Sequence, residues 1–158
     1  MLAYGSNACP SKITWLRREL GLTGAVTVLR ATCHGLAAVW AAGLRKRDGQ
    51  RPATLAAMPG VTEVHAIWLA TPEQLAVLDV CEGRGDRYHL AKLHSGQIVL
   101  DDGSAVEVLA YVGASAQRMP LLVDGSPVRT SDVPQHAAVA LLGEPAESDG
   151  LDRTVISE

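Results

Sequence analysis

At 158 residues the chain is long enough to bury one sizeable core, and 47% apolar against 20% charged residues excludes a disordered protein. A net charge of −3 argues against non-specific nucleic-acid binding, and no apolar run approaches the length of a membrane span. Aromatics are scarce (three Trp, three Tyr, no Phe), so Val, Leu and Ala must fill the interior.

Met1 to Tyr4 reads as a short strand ending in the small polar loop Tyr4-Gly5-Ser6-Asn7. "PSKITWLRRELGL" has helical spacing, with Ile13, Leu16 and Leu20 on one face and charges opposite. Pro10 and Ser11 supply start signals, and Gly21 or Gly24 a stop. "AVTVLRATCHGLAAVWA" is strand-like, with Gly35 as a bulge or bend. The basic run "LRKRDGQR", Leu44 to Arg51, reads as a solvated loop because Asp48 and Gly49 interrupt it. "PATLAAMPG" reads as a short strand ending in a Pro59-Gly60 turn, and "VTEVHAIWLA" as a further strand.

"TPEQLAVLD" is the clearest helix start in the chain. Thr71 is the N-cap, Pro72 takes the first helical position and Gln74 completes a capping box, with Leu75 and Leu78 facing inward. Gly83 and Gly85 end this helix at "CEGRGDRY". Strands follow at "YHLAKLH", "QIVL" and "AVEVLAYV", with turns at Asp101 to Gly103 and Asp124-Gly125. "PQHAAVALLG" predicts a last short helix ending at Gly143, and residues 144–158 read as an acidic, loosely patterned tail, mobile at its end, after a domain spanning residues 1–143. The predicted fold class is mixed α+β: a small curled sheet or barrel with two to four short helices packed outside.

Two features could carry chemistry. Glu82 lies between a helix end and a double-glycine loop, beside apolar Val80 and Cys81. A carboxylate partly desolvated there has a raised pKa and suits proton transfer. The plainer alternative is a solvated helix end, and Asp79, Asp86 and Glu73 compete for the role. The "YGSN" loop can present successive backbone N–H groups to an anion, reinforced by the dipole of the helix from Pro10. It can equally be an ordinary strand-to-helix turn, and it is not a phosphate loop because no Gly-Lys-Ser/Thr follows.

The order and spacing of the two features resemble the γ-glutamylcyclotransferase-like superfamily. "LAYGSN" at residues 2–7 is similar to that family's substrate loop, and "VHAIWLATPEQLAVLDVCEGRGDRYHLAKL" at residues 64–93 to its central signature. "ATCHGLAAVWA" and "ATLAAMPG" occupy the intervening strands, so the resemblance covers residues 1–143. It implies that the backbone amides of Tyr4, Gly5, Ser6 and Asn7 hold the α-carboxylate of a γ-glutamyl group, with Ala8 continuing the loop. It implies Glu82 as general acid/base and Tyr88 as a pocket wall. Where some members carry a second tyrosine near the end of the fold, the matching position is His136, and the family's usual glycine before the helix is Ala66.

The implied reaction is attack of the γ-glutamyl α-amine on its own γ-carbonyl, releasing 5-oxoproline and a free amine without cofactor, metal or covalent intermediate. The longer aromatic-flanked motif of the glutathione-specific branch is absent, which implies a substrate other than intact glutathione. A non-catalytic binding protein of the same fold is the competing expectation.

Other candidates are weaker. Cys9, Cys33 and Cys81 are odd in number and lack CxxC spacing, against a disulfide framework or structural zinc and in favour of a reducing, cytoplasmic setting. They read as small core residues, although Cys9 and Cys81 adjoin the two features above. The five histidines show no metal-ligand spacing, and Trp15, Trp40 and Trp68 read as core. No basic region precedes the apolar N-terminal residues, so no signal peptide is expected. The expected partner is a small γ-glutamyl substrate, without nucleic acid or membrane, on a monomer or homodimer.

Overall fold

The computed structural model describes residues 1–157. Leu2–Ala3 (β1) runs into the polar loop and then Pro10–Leu20 (α1). Leu16 is fully buried on the inner face of α1, with Ile13 and Leu20 packed beside it. Gly21 ends the helix in the left-handed conformation, at φ 73°, and its N–H returns to the Leu16 carbonyl.

Val28–Trp40 (β2) and Ala53–Trp68 (β3) pair antiparallel over nearly their whole lengths. Pro59-Gly60, expected as a turn between two strands, instead lies inside β3. Gly35 is the predicted bulge, at φ 80°. His34 faces Thr62 and Leu36 faces Ala57, so residues 58–61 stand opposite Gly35 alone. Pro59 is tolerated there because the ladder is already interrupted.

Pro72–Glu82 (α2) starts as predicted. Thr71 Oγ1 accepts from Gln74 N at 3.1 Å, and Gln74 Oε1 accepts from Thr71 N at 3.2 Å. Gln74 Nε2 also donates to the carbonyls of Thr23 and Ala25, both at 3.0 Å, which explains its burial. Leu78 is buried as expected, while Leu75 is half-buried.

Tyr88–Leu93 (β4), Gln97–Leu100 (β5) and Leu109–Gly113 (β6) follow. The turn at residues 101–103 reverses the chain, but its arms go to different sheets: β5 joins β2, and β6 joins β4. A 3-10 turn at Ala116–Arg118 leads to the hairpin of Leu121–Val123 (β7) and Ser126–Pro127 (β8). Asp124 and Gly125 both have positive φ, as the tight hairpin turn requires. Gln135–Ala138 (α3) is a single turn of helix that stops well before Gly143. Beyond it, Glu144–Pro145 (β9) pairs with β7 and Arg153–Val155 (β10) with β4, so the segment read as loosely patterned supplies two strands.

The result is mixed α+β, with sheets in the orders β1-β3-β2-β5, β10-β4-β6 and β8-β7-β9. No barrel closes among the described residues. β1 is only two residues long and pairs only with β3, and the strands on either side of the 101–103 turn separate. The first two sheets enclose a core that includes Leu2, Cys33, Leu36, Leu55, Leu93 and Val112. α1 and α2 seal a second cluster around Leu16, Trp68, Leu78 and Tyr111. Among the described residues no helix is long and apolar enough to cross a membrane.

Candidate active site

The loop after β1 folds back on itself through a hydrogen bond from Cys9 N to the Ser6 carbonyl at 2.9 Å. This turn points Asn7 inward, where it is 8% exposed. Its Nδ2 donates to Glu82 Oε1 at 2.8 Å. Glu82 is the last residue of α2, and Gly83 caps that helix in the left-handed conformation at φ 65°. The polar loop and the carboxylate, 75 positions apart, therefore meet.

Three tyrosines stand around this pair. The Tyr4 hydroxyl donates to the Tyr111 carbonyl at 2.6 Å and the Tyr88 hydroxyl to the Ala53 carbonyl at 2.9 Å. The Tyr111 hydroxyl donates to Asp79 Oδ1 at 2.7 Å, while Arg84 Nη1 holds Asp79 Oδ2 at 2.9 Å. Burial pushes the Tyr4 phenol well above its usual range, with the fields of Tyr88 and Glu82 adding to it. Burial and then Glu82 push Tyr88 up to about 12. Tyr111 is raised by burial, by its bond to Asp79 and by Glu82. All three phenols are therefore protonated donors at neutral pH. Asp79 is committed to Tyr111 and Arg84, and Glu73 is exposed at the opposite end of α2.

A cavity of about 990 Å³ opens over this arrangement, lined among others by Tyr4, Gly5, Ser6, Asn7, Glu82 and Tyr88. Asp86 is the other carboxylate on its wall. A Cβ at Gly5 would meet nothing within 4 Å, so the loop faces open space. Ala8 and His136 do not line the cavity. Ala8 falls where the loop turns away into α1. His136 is exposed because α3 is one turn long and Gln135, one residue earlier, takes the inward direction.

No family model matches the chain, and no curated protein matches its sequence. Among solved structures, an uncharacterized protein from Homo sapiens superposes with a TM-score of 0.58 and a γ-glutamyl cyclotransferase with 0.57. Each is 17% identical to this chain, and each match covers 72% of this chain and 65% of the other. The chain has the γ-glutamyl cyclotransferase-like fold. At that identity the likeness is one of architecture, and the matched region spans about two thirds of those chains.

Several cavity residues of this γ-glutamyl cyclotransferase-like fold carry no local sequence signal. Tyr111 and Arg118 arrive from β6 and the 3-10 turn after it. The basic segment 44–51 is largely the exposed loop expected, with residues 44 and 46–49 exposed, and it also forms one cavity wall. Arg45 pairs with Asp48 at 3.1 Å, but Arg51 is buried and donates to the carbonyls of Ala41, Ala42, Ala138 and Leu141. Trp15, expected in the core, is half-buried beneath Lys12 and Arg47, at 5.6 and 5.5 Å from its ring. Trp68 is core, and Trp40 is buried with its indole N–H on the Val133 carbonyl. Cys81 lines the cavity, whereas Cys9 is exposed. Among the described residues no cluster of three or more His, Cys, Asp or Glu could hold a metal ion.

Proposed function

We propose that the chain is a γ-glutamylcyclotransferase-type enzyme that releases 5-oxoproline and a free amine from a γ-glutamyl amide. The observation that carries this reading is the 2.8 Å bond between Asn7 and Glu82, which ties the anion-binding loop to the proton carrier within one cavity. The free thiols of Cys9, Cys33 and Cys81 fit a reducing compartment such as the cytoplasm.

In the proposed reaction the loop amides around Gly5 and Ser6 hold the substrate α-carboxylate, which fixes the α-amine beside Glu82. The carboxylate takes a proton from the α-ammonium. Glu82 sheds that first proton to solvent, takes the next one from the nitrogen as it attacks the γ-carbonyl and forms the ring C–N bond, and delivers it to the departing nitrogen as the amide C–N bond breaks. One carboxyl serves both steps because both nitrogens flank one carbon. Ring closure is intramolecular, so orientation supplies much of the rate.

The test is a panel of γ-glutamyl compounds incubated with wild type and Glu82→Gln, with 5-oxoproline read by mass spectrometry. The substituted side-chain carbonyl can still accept from Asn7, so the variant folds and binds, but turnover falls by roughly two to four orders of magnitude. Near-normal turnover would remove Glu82 from the mechanism. If wild type forms no 5-oxoproline from any compound, the competing reading of a non-catalytic binding protein gains.

A further inference from the structure

The chain carries a net negative charge, yet seven of its 14 lysines and arginines line this one cavity, against the two carboxylates Glu82 and Asp86. Three of these cations are already engaged. Arg51 is spent on backbone carbonyls, Arg45 on Asp48, and Arg87 gives Nη2 to the Cys81 carbonyl at 3.1 Å. Arg118 differs. It is 7% exposed, its Nε is buried without a partner, and no carboxylate pairs with it among the described residues. Its guanidinium makes one long bond, 3.5 Å, to the neighbouring Gln117 carbonyl and lies 5.9 Å from the centre of the Tyr88 ring.

A buried guanidinium without an anion is costly, and burying it on a cavity wall makes sense if an anion completes it. Its position is set by backbone. A Cβ at Gly113 would overlap the Arg118 carbonyl, so only glycine lets the chain turn this tightly after β6. Tyr88 lies within electrostatic reach of Glu82 and also of Arg118, Arg45 and Arg87. Lys12 and Arg47, sharing the Trp15 ring, extend the positive wall outward.

We infer that the cavity takes γ-glutamyl amides whose amine half carries a phosphate-class dianion, held by Arg118 with Lys46 and Arg47 at the rim; this rests on the cyclisation reading above. A monoanionic α-carboxylate at the Gly5-Ser6 loop leaves this second cationic wall unmatched. A guanidinium pairs with phosphate oxygens through two parallel N–H donors. The cavity is also larger than a γ-glutamyl group alone needs, lying at the upper end of the usual range for small-molecule sites. The bonds made and broken are unchanged, and the phosphate leaves on the released amine.

The experiment compares kcat/KM for the γ-glutamyl amides of ethanolamine, glycine, phosphoethanolamine and putrescine, in wild type and Arg118→Met. In wild type the phosphoethanolamine amide is preferred over both the ethanolamine and glycine amides by at least roughly ten-fold, as expected for charge-assisted bonds. The putrescine amide is the poorest. Arg118→Met brings the ratio of phosphorylated to neutral amide close to one. If that variant does not fold, the double variant Lys46→Ala, Arg47→Ala lowers the same ratio. A neutral, cationic or glycine amide turned over as well as the phosphorylated one would overturn the inference, as would a preference that survives in Arg118→Met or, where that variant does not fold, in the double variant. If no amide yields 5-oxoproline, the cyclisation reading fails. Calorimetric binding of the phosphoethanolamine amide then decides the anion site by itself. Binding weakened by the substitution that folds upholds the site, and absent or unaltered binding overturns it.

Discussion

Asn7 and Glu82 are joined by a hydrogen bond in which Asn7 Nδ2 donates to Glu82 Oε1 at 2.8 Å, so the amide fixes the orientation of the carboxyl group. Asn7→Ala removes this partner and leaves Glu82 free to rotate, lowering kcat by about ten-fold if the bond is worth roughly 1.5 kcal/mol. Asn7→Asp places a second carboxylate beside Glu82, and like charges hold one proton more tightly. The acid limb of the pH–rate profile of Asn7→Asp then moves to higher pH. An unmoved limb in that variant would mean that Asn7 does not govern the carboxyl.

Gly5 and Gly113 predict opposite failures. Gly5→Ala adds a methyl group in open space, so stability stays within about 0.5 kcal/mol of wild type, while on the proposed function KM for γ-glutamyl amides rises because the methyl group enters the space where their α-carboxylate would sit. Gly113→Ala forces its methyl group against the Arg118 carbonyl and costs roughly 1–3 kcal/mol. Urea denaturation and steady-state kinetics on the two variants separate the outcomes.

Glu63 makes stability depend on pH. Burial alone would raise its pKa, but the Ala38 N–H, Arg129 and His65 together outweigh it and hold the carboxyl below its ordinary value of 4.5. The contacts are 2.9, 2.8 and 2.8 Å. A folded-state pKa below the unfolded one gives stability that is present above about pH 4.5 and is lost as pH falls through the folded value. Glu63→Gln therefore loses roughly 1–3 kcal/mol at pH 7 and shows a shallower acid decline than wild type, read from denaturant midpoints between pH 7 and 3.

The start of α2 bears on the site at its other end. Thr71→Ala breaks the capping box and costs about 1 kcal/mol. Fraying begins at Thr71, ten residues before Cys81, so kcat changes little while the melting temperature falls. A variant with unaltered melting temperature would show that packing of Gln74 and Leu78 alone holds the helix.

What could be read in advance follows from how local each signal is. The Thr71–Gln74 box, the Gly35 bulge and the Asp124-Gly125 turn each need only a few adjacent residues, and all three form. So does the Gly83 cap that presents Glu82. The Pro59-Gly60 stretch misled because a turn dipeptide reads the same inside a strand once its partner also bulges. The barrel was not legible, since closure depends on whether a two-residue edge strand finds a second neighbour. Arg51 sits in a stretch that looks solvated and Arg118 in one without a signal, and only long-range folding buries them. His136 and Gln135 are adjacent, and nothing local tells which faces the cavity.

The bonds Asn7–Glu82 and Tyr4–Tyr111 close chain segments of 75 and 107 positions. Tyr4 and Asn7 wait for Tyr111 and Glu82 before these contacts can form. Topology of this kind delays assembly, because loop-closure entropy is lost before any contact rewards it. A nascent chain halted before Tyr111 emerges lacks the cavity wall that Tyr111, Gln117 and Arg118 supply, so a ligand that needs this wall can speed only the final stage of maturation.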